Sequence, residues 1–156
     1  MPRALISENE ILASPSQVWR VLTDFAFYPE WNPFIREAQG ELRVGSRLKL
    51  SFITPSGIGM KASATLVQVE QDYELRWVGS LLAPILMDVE HFFIMEPLSP
   101  HRTRFVHGET FGGMLVPVFI RMLQGEVMGA YRAMNAALKQ RAEDLAIRES
   151  GHAQRP

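Results

Sequence analysis

The stretch Thr103-Arg104-Phe105-Val106-His107-Gly108-Glu109-Thr110-Phe111-Gly112-Gly113 is where the chain changes its period. Up to Thr110 residues of one kind recur at every second position, the signature of a strand with two unlike faces. Beyond Gly112-Gly113 the spacing becomes helical, with Phe119/Ile120, Leu123, Val127, Tyr131, Met134, Leu138 and Leu145 on one broad stripe. One long C-terminal helix is therefore expected. Gly125 and Gly129 inside it lower its propensity by about 1 kcal/mol each and mark either close packing, a bend over a cavity, or simply two poor helix formers.

Backwards from Thr110 the period-two pattern reaches Ile35, broken by turn residues at Gly40, Gly45, Pro55-Ser56-Gly57, Gln71-Asp72 and Pro97 to Pro100. Six strands are predicted, Ile35–Gln39, Ser46–Thr54, Met60–Glu70, Glu74–Gly79, Met87–Glu96 and Thr103–Thr110. The apolar, proline-containing segment from Ser80 to Ile85 reads as a loop over a pocket mouth. A further strand is expected over Ala4 to Leu12, followed by a short helix that Ser14 caps, Pro15 opens and Gln17 completes as a capping box. Val18, Trp19, Val21, Leu22 and Phe25 give that helix its apolar face. Tyr28-Pro29-Glu30-Trp31-Asn32-Pro33-Phe34 has room only for a short helical turn between its prolines.

The resulting order is strand, two short helices, six more strands and a long helix, an α+β chain with one domain over residues 1–148. Residues 149–156 read as a polar, frayed tail. Seven antiparallel strands must cover an apolar face, and a single helix of about 50 Å can do this only if the sheet curls around it. The expected architecture is a helix grip, and one helix does not fill such a curved sheet, so an apolar cavity is expected between them.

Composition narrows the function. The chain has 156 residues, 47% hydrophobic and 21% charged, enough for one self-sufficient core. It has no cysteine, which excludes thiolate catalysis and Cys-ligated zinc or iron–sulfur centres. Sixteen basic against seventeen acidic residues, with no basic block, argue against nucleic acid as a partner. No run of about 18 apolar residues reads as a membrane span, and no signal-peptide pattern opens the chain, so a cytoplasmic protein is expected. There is no phosphate-binding glycine loop and no nucleophile elbow.

The chain resembles the START-like or Bet v 1-like superfamily (SRPBCC), in the bacterial branch of polyketide cyclases/dehydrases and lipid transport. The resemblance runs from Ile6 to Leu145. It is carried by Ile11-Leu12-Ala13-Ser14-Pro15-Ser16-Gln17-Val18-Trp19, by Tyr28 to Phe34, by Leu75-Arg76-Trp77, and by His107-Gly108-Glu109-Thr110-Phe111-Gly112-Gly113. It implies the helix-grip fold. The superfamily includes lipid carriers, hormone binders, aromatase/cyclases and chaperone co-activators, so the resemblance does not choose among functions.

Strand alternation assigns faces. Leu75, Trp77 and Gly79 should face the helix, as should Val89, His91, Phe93 and Met95, and Thr103, Phe105, His107 and Glu109. Turning the last hairpin through Pro97 to Pro100 brings Phe93 near Phe105, and His91 near His107 or Glu109. The expected ligand-binding set is Trp31, Phe34, Trp77, His91, Phe93, Met95, Phe105, His107, Glu109, Leu123, Val127 and Tyr131. Three readings compete for the polar trio. In the first, His91 or His107 orients Glu109 and no reaction occurs; in the second, Glu109, His107 and His91 are catalytic, an imidazole–carboxylate pair moving protons. In the third they ligate a metal, for which no second-shell acid is evident, so neither metal nor cofactor is expected.

The leading functional reading is a module that binds a small hydrophobic or amphipathic molecule, lipid, aromatic or polyketide-like. The alternatives are a cyclase, aromatase or dehydratase working on a polyketone, and a co-chaperone-like interaction module docking through Met114 to Val118 and Leu81 to Ile85. The oligomeric state is open, a homodimer included.

Overall fold

The computed structural model describes residues 3–80 and 86–154, the side chains at 3, 122 and 123 excepted. Seven strands form one antiparallel sheet: β1 (Arg3–Ile11), β2 (Ile35–Gln39), β3 (Arg47–Ile53), β4 (Gly59–Glu70), β5 (Glu74–Ser80), β6 (Asp88–Ser99) and β7 (Arg102–Gly112). Helix α1 (Pro15–Thr23), a 3-10 turn (Phe25–Phe27) and α2 (Tyr28–Trp31) separate the first two strands, and α3 (Val116–Ala153) ends the chain. The expected α+β helix grip is the fold, and the expected loop at Leu81–Ile85 and the side chain of Leu123 fall outside the described residues.

The sheet order is β1-β7-β6-β5-β4-β3-β2, so β2 to β7 form a meander and β1 returns to its far edge beside β7. The connection through α1 and α2 carries the chain from one edge of the sheet to the other. Its start is fixed locally. Ser14 Oγ accepts from the Gln17 N–H at 3.2 Å while Gln17 Oε1 accepts from the Ser14 N–H at 2.9 Å. Asn32 then terminates α2, its Oδ1 accepting from the N–H groups of Phe34 and Ile35 and so steering the chain into β2.

Register irregularities at Ile35/Glu37, Leu66/Gln68 and Pro97/Ser99 help the sheet curl. The last one corrects the expected turn. Strand β6 continues through Pro97 to Ser99, the bulge absorbing the proline's missing donor, and the turn is confined to Pro100-His101. At the other end of β7, Gly113 has φ +110° and packs so closely on Leu86 that an added Cβ would lie 2.6 Å from its carbonyl oxygen.

Helix α3 is 38 residues long and has buried residues in both halves, Val116 and Ile120 near its start and Ala130, Tyr131, Met134, Leu138 and Ala142 further on. Phe119 and Val127 in the first half are only half-buried. Neither Gly125 nor Gly129 meets a close neighbour, the nearest atom to an added Cβ at Gly129 being Pro55 Cγ at 3.6 Å. These glycines therefore do not mark tight packing. The helix also runs past Glu149, where a frayed tail was expected, because Gln17 and Arg20 of α1 both bond the Glu149 carboxylate.

On the convex face Arg76 bonds Glu74 and Glu90, Arg104 bonds Glu8 and Glu96, and the Arg76 guanidinium lies 4.9 Å from the Phe92 ring centre. Phe92 covers Gly108, its register partner on β7. A Cβ on Gly108 would meet Phe92 Cζ at 2.5 Å, so Gly108→Ala should cost about 1–3 kcal/mol. Urea denaturation of Gly108→Ala, Phe92→Leu and the double variant checks this: the double variant should be more stable than the sum of the single effects, and strict additivity would show that the two positions do not collide.

Candidate functional site

The register of the β6–β7 hairpin sets His91 opposite Glu109 and Phe93 opposite His107, all on the face turned toward α3. His91 Nδ1 lies 2.8 Å from Glu109 Oε1, and His91 Nε2 lies 2.7 Å from His107 Nε2. His107 Nδ1 is 2.8 Å from Asn135 Oδ1 on α3, and Asn135 Nδ2 donates to Ser7 Oγ on β1 at 3.1 Å. Asn9 Nδ2 donates to the Asn135 carbonyl at 3.1 Å. A polar chain thus crosses the core from β7 through β6 and α3 to β1. His91, His107, Glu109 and Asn135 are all buried.

The two imidazoles are nearly parallel, with an interplanar angle of 14° and ring centres 4.9 Å apart. With their Nε2 atoms 2.7 Å apart, this is a head-to-head arrangement in which one ring donates to the other. Burial, then the neighbouring His91, pull the His107 pKa well below its ordinary value, against a smaller opposing effect of the Asn135 hydrogen bond. A neutral ring carries one proton. With Asn135 Oδ1 as acceptor, that proton is on His107 Nδ1, and His107 Nε2 accepts from His91. Rotating the Asn135 amide reverses both hydrogen bonds.

Tyr131 packs on this chain, its ring centre 4.3 Å from that of His107. Burial, then the charge of Glu109, then a hydrogen bond to Glu109 raise its pKa well above the ordinary value. No group of three His, Cys, Asp or Glu side chains has metal-holding geometry among the described residues. In particular, His91 and His107 turn their Nε2 atoms on each other instead of toward a common point.

Beside Glu109 and His91 lies an apolar cavity of about 100 Å³, several times the space one water needs. It is bounded by β3 to β7 and by the first half of α3. Its walls include Phe34, Leu50, Phe52, Trp77, Phe111 and Phe119. The space exists because β4 presents Ala62 and Ala64, and β5 presents Gly79, where larger side chains would reach the helix.

Of the expected binding residues, Phe34, Trp77, His91, Glu109 and Val127 line this cavity. Phe93, Met95, Phe105 and His107 do not; they are fully buried in the packed half of the grip, with the Phe93 and Phe105 rings stacked 5.9 Å apart. Tyr131 is in that packed layer behind Glu109. Trp31 is not at the cavity either. It lines a separate surface cleft with Phe27, Arg141 and Leu145, and its ring meets Tyr28 edge-on at 5.3 Å. Sequence reasoning missed Asn135, Ser7 and Asn9. Asn135 had a readable signal, since it is a polar residue four positions after Tyr131 on the buried stripe of α3.

A family model described as polyketide cyclase / dehydrase and lipid transport matches residues 5–143. The chain belongs to this family. Among solved structures, the chain is similar to the Zhui aromatase/cyclase of Streptomyces sp. R1128, with 18% identity, 92% of this chain and 94% of that one covered, and a TM-score of 0.75. It is similar also to norcoclaurine synthase of Thalictrum flavum (13% identity, 92% and 96% covered, TM-score 0.70) and to a START superfamily protein of Mycobacterium smegmatis (18%, 88% and 97%, 0.67). At these identities the likeness is one of fold. No curated protein matches the chain in sequence.

The neutrality of His107 has a measurable consequence. Below the ordinary imidazole value of 6.5 the unfolded chain takes up a proton here that the folded chain does not, so stability should fall as pH falls from 6.5. The slope from this one group is at most about 1.4 kcal/mol per pH unit. Urea midpoints of wild type and His107→Gln between pH 7.5 and 5 should diverge in this sense, with the variant the flatter, and ¹⁵N NMR should find the His107 ring neutral at pH 5.5. A protonated ring there would contradict the assignment.

Proposed function

We propose that this protein is a binding module for a small, mainly apolar molecule held between the sheet and the first half of α3. The observation that carries the reading is the coincidence of an apolar cavity with a buried Glu109–His91 pair in its wall, the other polar residues of the described lining being the neutral Thr54, Ser63, Ser80 and Gln124. Such a site gives affinity through apolar area and orientation through a few polar groups. The ligand is lipid-like, aromatic or polyketide-like, in keeping with the family. A cytoplasmic setting and the absence of a nucleic-acid partner belong to the same reading, the latter on the near-neutral net charge of −1. Among the described residues no helix is long and apolar enough to cross a membrane.

The 2.8 Å contact between Glu109 and His91 also favours a second reading, a cyclase, aromatase or dehydratase that uses the pair for proton transfer. A third, a protein-docking role, has in its favour the exposure of Met114 and Val118 at the start of α3.

Native mass spectrometry of the purified chain should find a retained small molecule, and an apolar dye should shift Trp emission through Trp77, which lines the cavity. Ala64→Leu fills the space beside Trp77 and should weaken dye binding at least tenfold with the fold intact by circular dichroism. Unchanged binding in Ala64→Leu would put the dye elsewhere. For the enzymatic reading, a candidate poly-β-ketone turned over by wild type and slowed roughly 10²–10⁴-fold in Glu109→Gln would replace the binding module by a catalyst; no turnover by wild type is the expected result.

A further inference from the structure

The polar group of the ligand can be named more closely, an inference that rests on the binding reading above. Among the described residues lining the cavity, Glu109 is the only acidic one, and there is no Lys or Arg. Its Oε1 lies 2.8 Å from His91 Nδ1. A carboxylate accepts hydrogen bonds and does not donate them, and its two oxygens together have about four lone-pair sites, more than its neighbours here use.

A group that meets Glu109 must therefore bring a donor. A carboxylate or phosphate, the headgroup of a fatty acid or phospholipid, would set a second anion against Glu109 with no cation in the wall to offset it, in surroundings that screen poorly. A bare carbonyl would oppose lone pair to lone pair. An ammonium donates, but loses its hydration among Phe34, Trp77, Phe111 and Phe119 with half a carboxylate as compensation. A neutral hydroxyl donates at little desolvation cost. It also keeps an acceptor lone pair, for which the wall offers Thr54, Ser63, Ser80 and Gln124 as donors. The five aromatic side chains of the wall, Phe52 included, suit a flat ring, and about 100 Å³ limits it to a single one.

We propose that the cavity selects a small aromatic molecule bearing a neutral hydroxyl, which donates to the Glu109 carboxylate, and rejects the same skeleton bearing a carboxylate. The site discriminates by headgroup chemistry and not by apolar bulk alone.

Isothermal titration of the full chain at pH 7.5 with ethylbenzene, 4-ethylphenol, 4-ethylbenzylamine and 4-ethylbenzoate tests this with one skeleton and four headgroups. The phenol should bind at least tenfold more tightly than ethylbenzene, the amine should fall behind the phenol, and the benzoate should be weakest, at least a hundredfold behind the phenol. In Glu109→Gln, which keeps shape and removes the charge, the gap between benzoate and phenol should close at least tenfold; the wild-type ranking decides the matter should that variant not fold. Benzoate within threefold of the phenol, an amine tighter than the phenol, or a gap unchanged in Glu109→Gln overturns the proposal. Ethylbenzene bound without any headgroup preference, or failure of all four to bind, would sink this inference, while the binding module itself falls only if native mass spectrometry finds no retained molecule and no apolar dye binds.

Discussion

One helix has to cover the concave face of seven strands. A helix with side chains is about 10–12 Å across, and the sheet meets this by curling at its bulges, so that β1, β6 and β7 close on the second half of α3 while β3, β4 and β5 stand off from its first half. Everything distinctive follows from that asymmetry. Where the sheet closes, Phe93, Met95, Phe105, Tyr131 and Met134 fill the space to interior density; where it stands off, Ala62, Ala64 and Gly79 leave it unfilled. The half-burial of Phe119 and Val127 is the same fact read from the helix.

The polar chain runs along the border between the two halves. Burying two imidazoles, a carboxylate and an amide would be costly if any were unpaired, and the chain limits that cost by joining them end to end. It also fixes geometry. A one-residue slip of β7 against β6 would turn His107 and Glu109 to the convex face among the Arg and Glu side chains and strand His91 and Asn135 in the core, so register errors are penalised far more than an all-apolar core would penalise them.

Strand faces were legible because the period of two is unambiguous from Glu74 to Thr110, and the convex set Glu90, Arg104 and Glu96 confirms it by its charges. Pairing was less so. Reading Pro97 to Pro100 as the turn brought His91 near either His107 or Glu109, and it is the continuation of β6 through a bulge that puts Glu109 opposite and makes His107 the diagonal neighbour. The place of Trp31 was not legible for a different reason. Between Pro29 and Pro33 the backbone direction is set by Asn32 caps and by packing on Tyr28, which no periodicity reports. The extent of the cavity depends on the small residues of β4, and alternation says which way Ala64 points without saying that nothing fills the space before it.

The return of β1 to the β7 edge bears on the order of folding. Strands β2 to β7 pair with sequence neighbours across short turns, so the cavity-bearing meander assembles from local contacts. Strand β1 pairs Arg3 with Phe111, closing a loop of roughly a hundred residues, a step slowed by its high contact order. During synthesis β1 therefore leaves the ribosome first and finds its partner late. Since Ser7 and Asn9 are on that strand, the polar chain is completed only by the last long-range closure, and a protected Asn135 side chain is a marker of the finished fold that the meander alone does not produce.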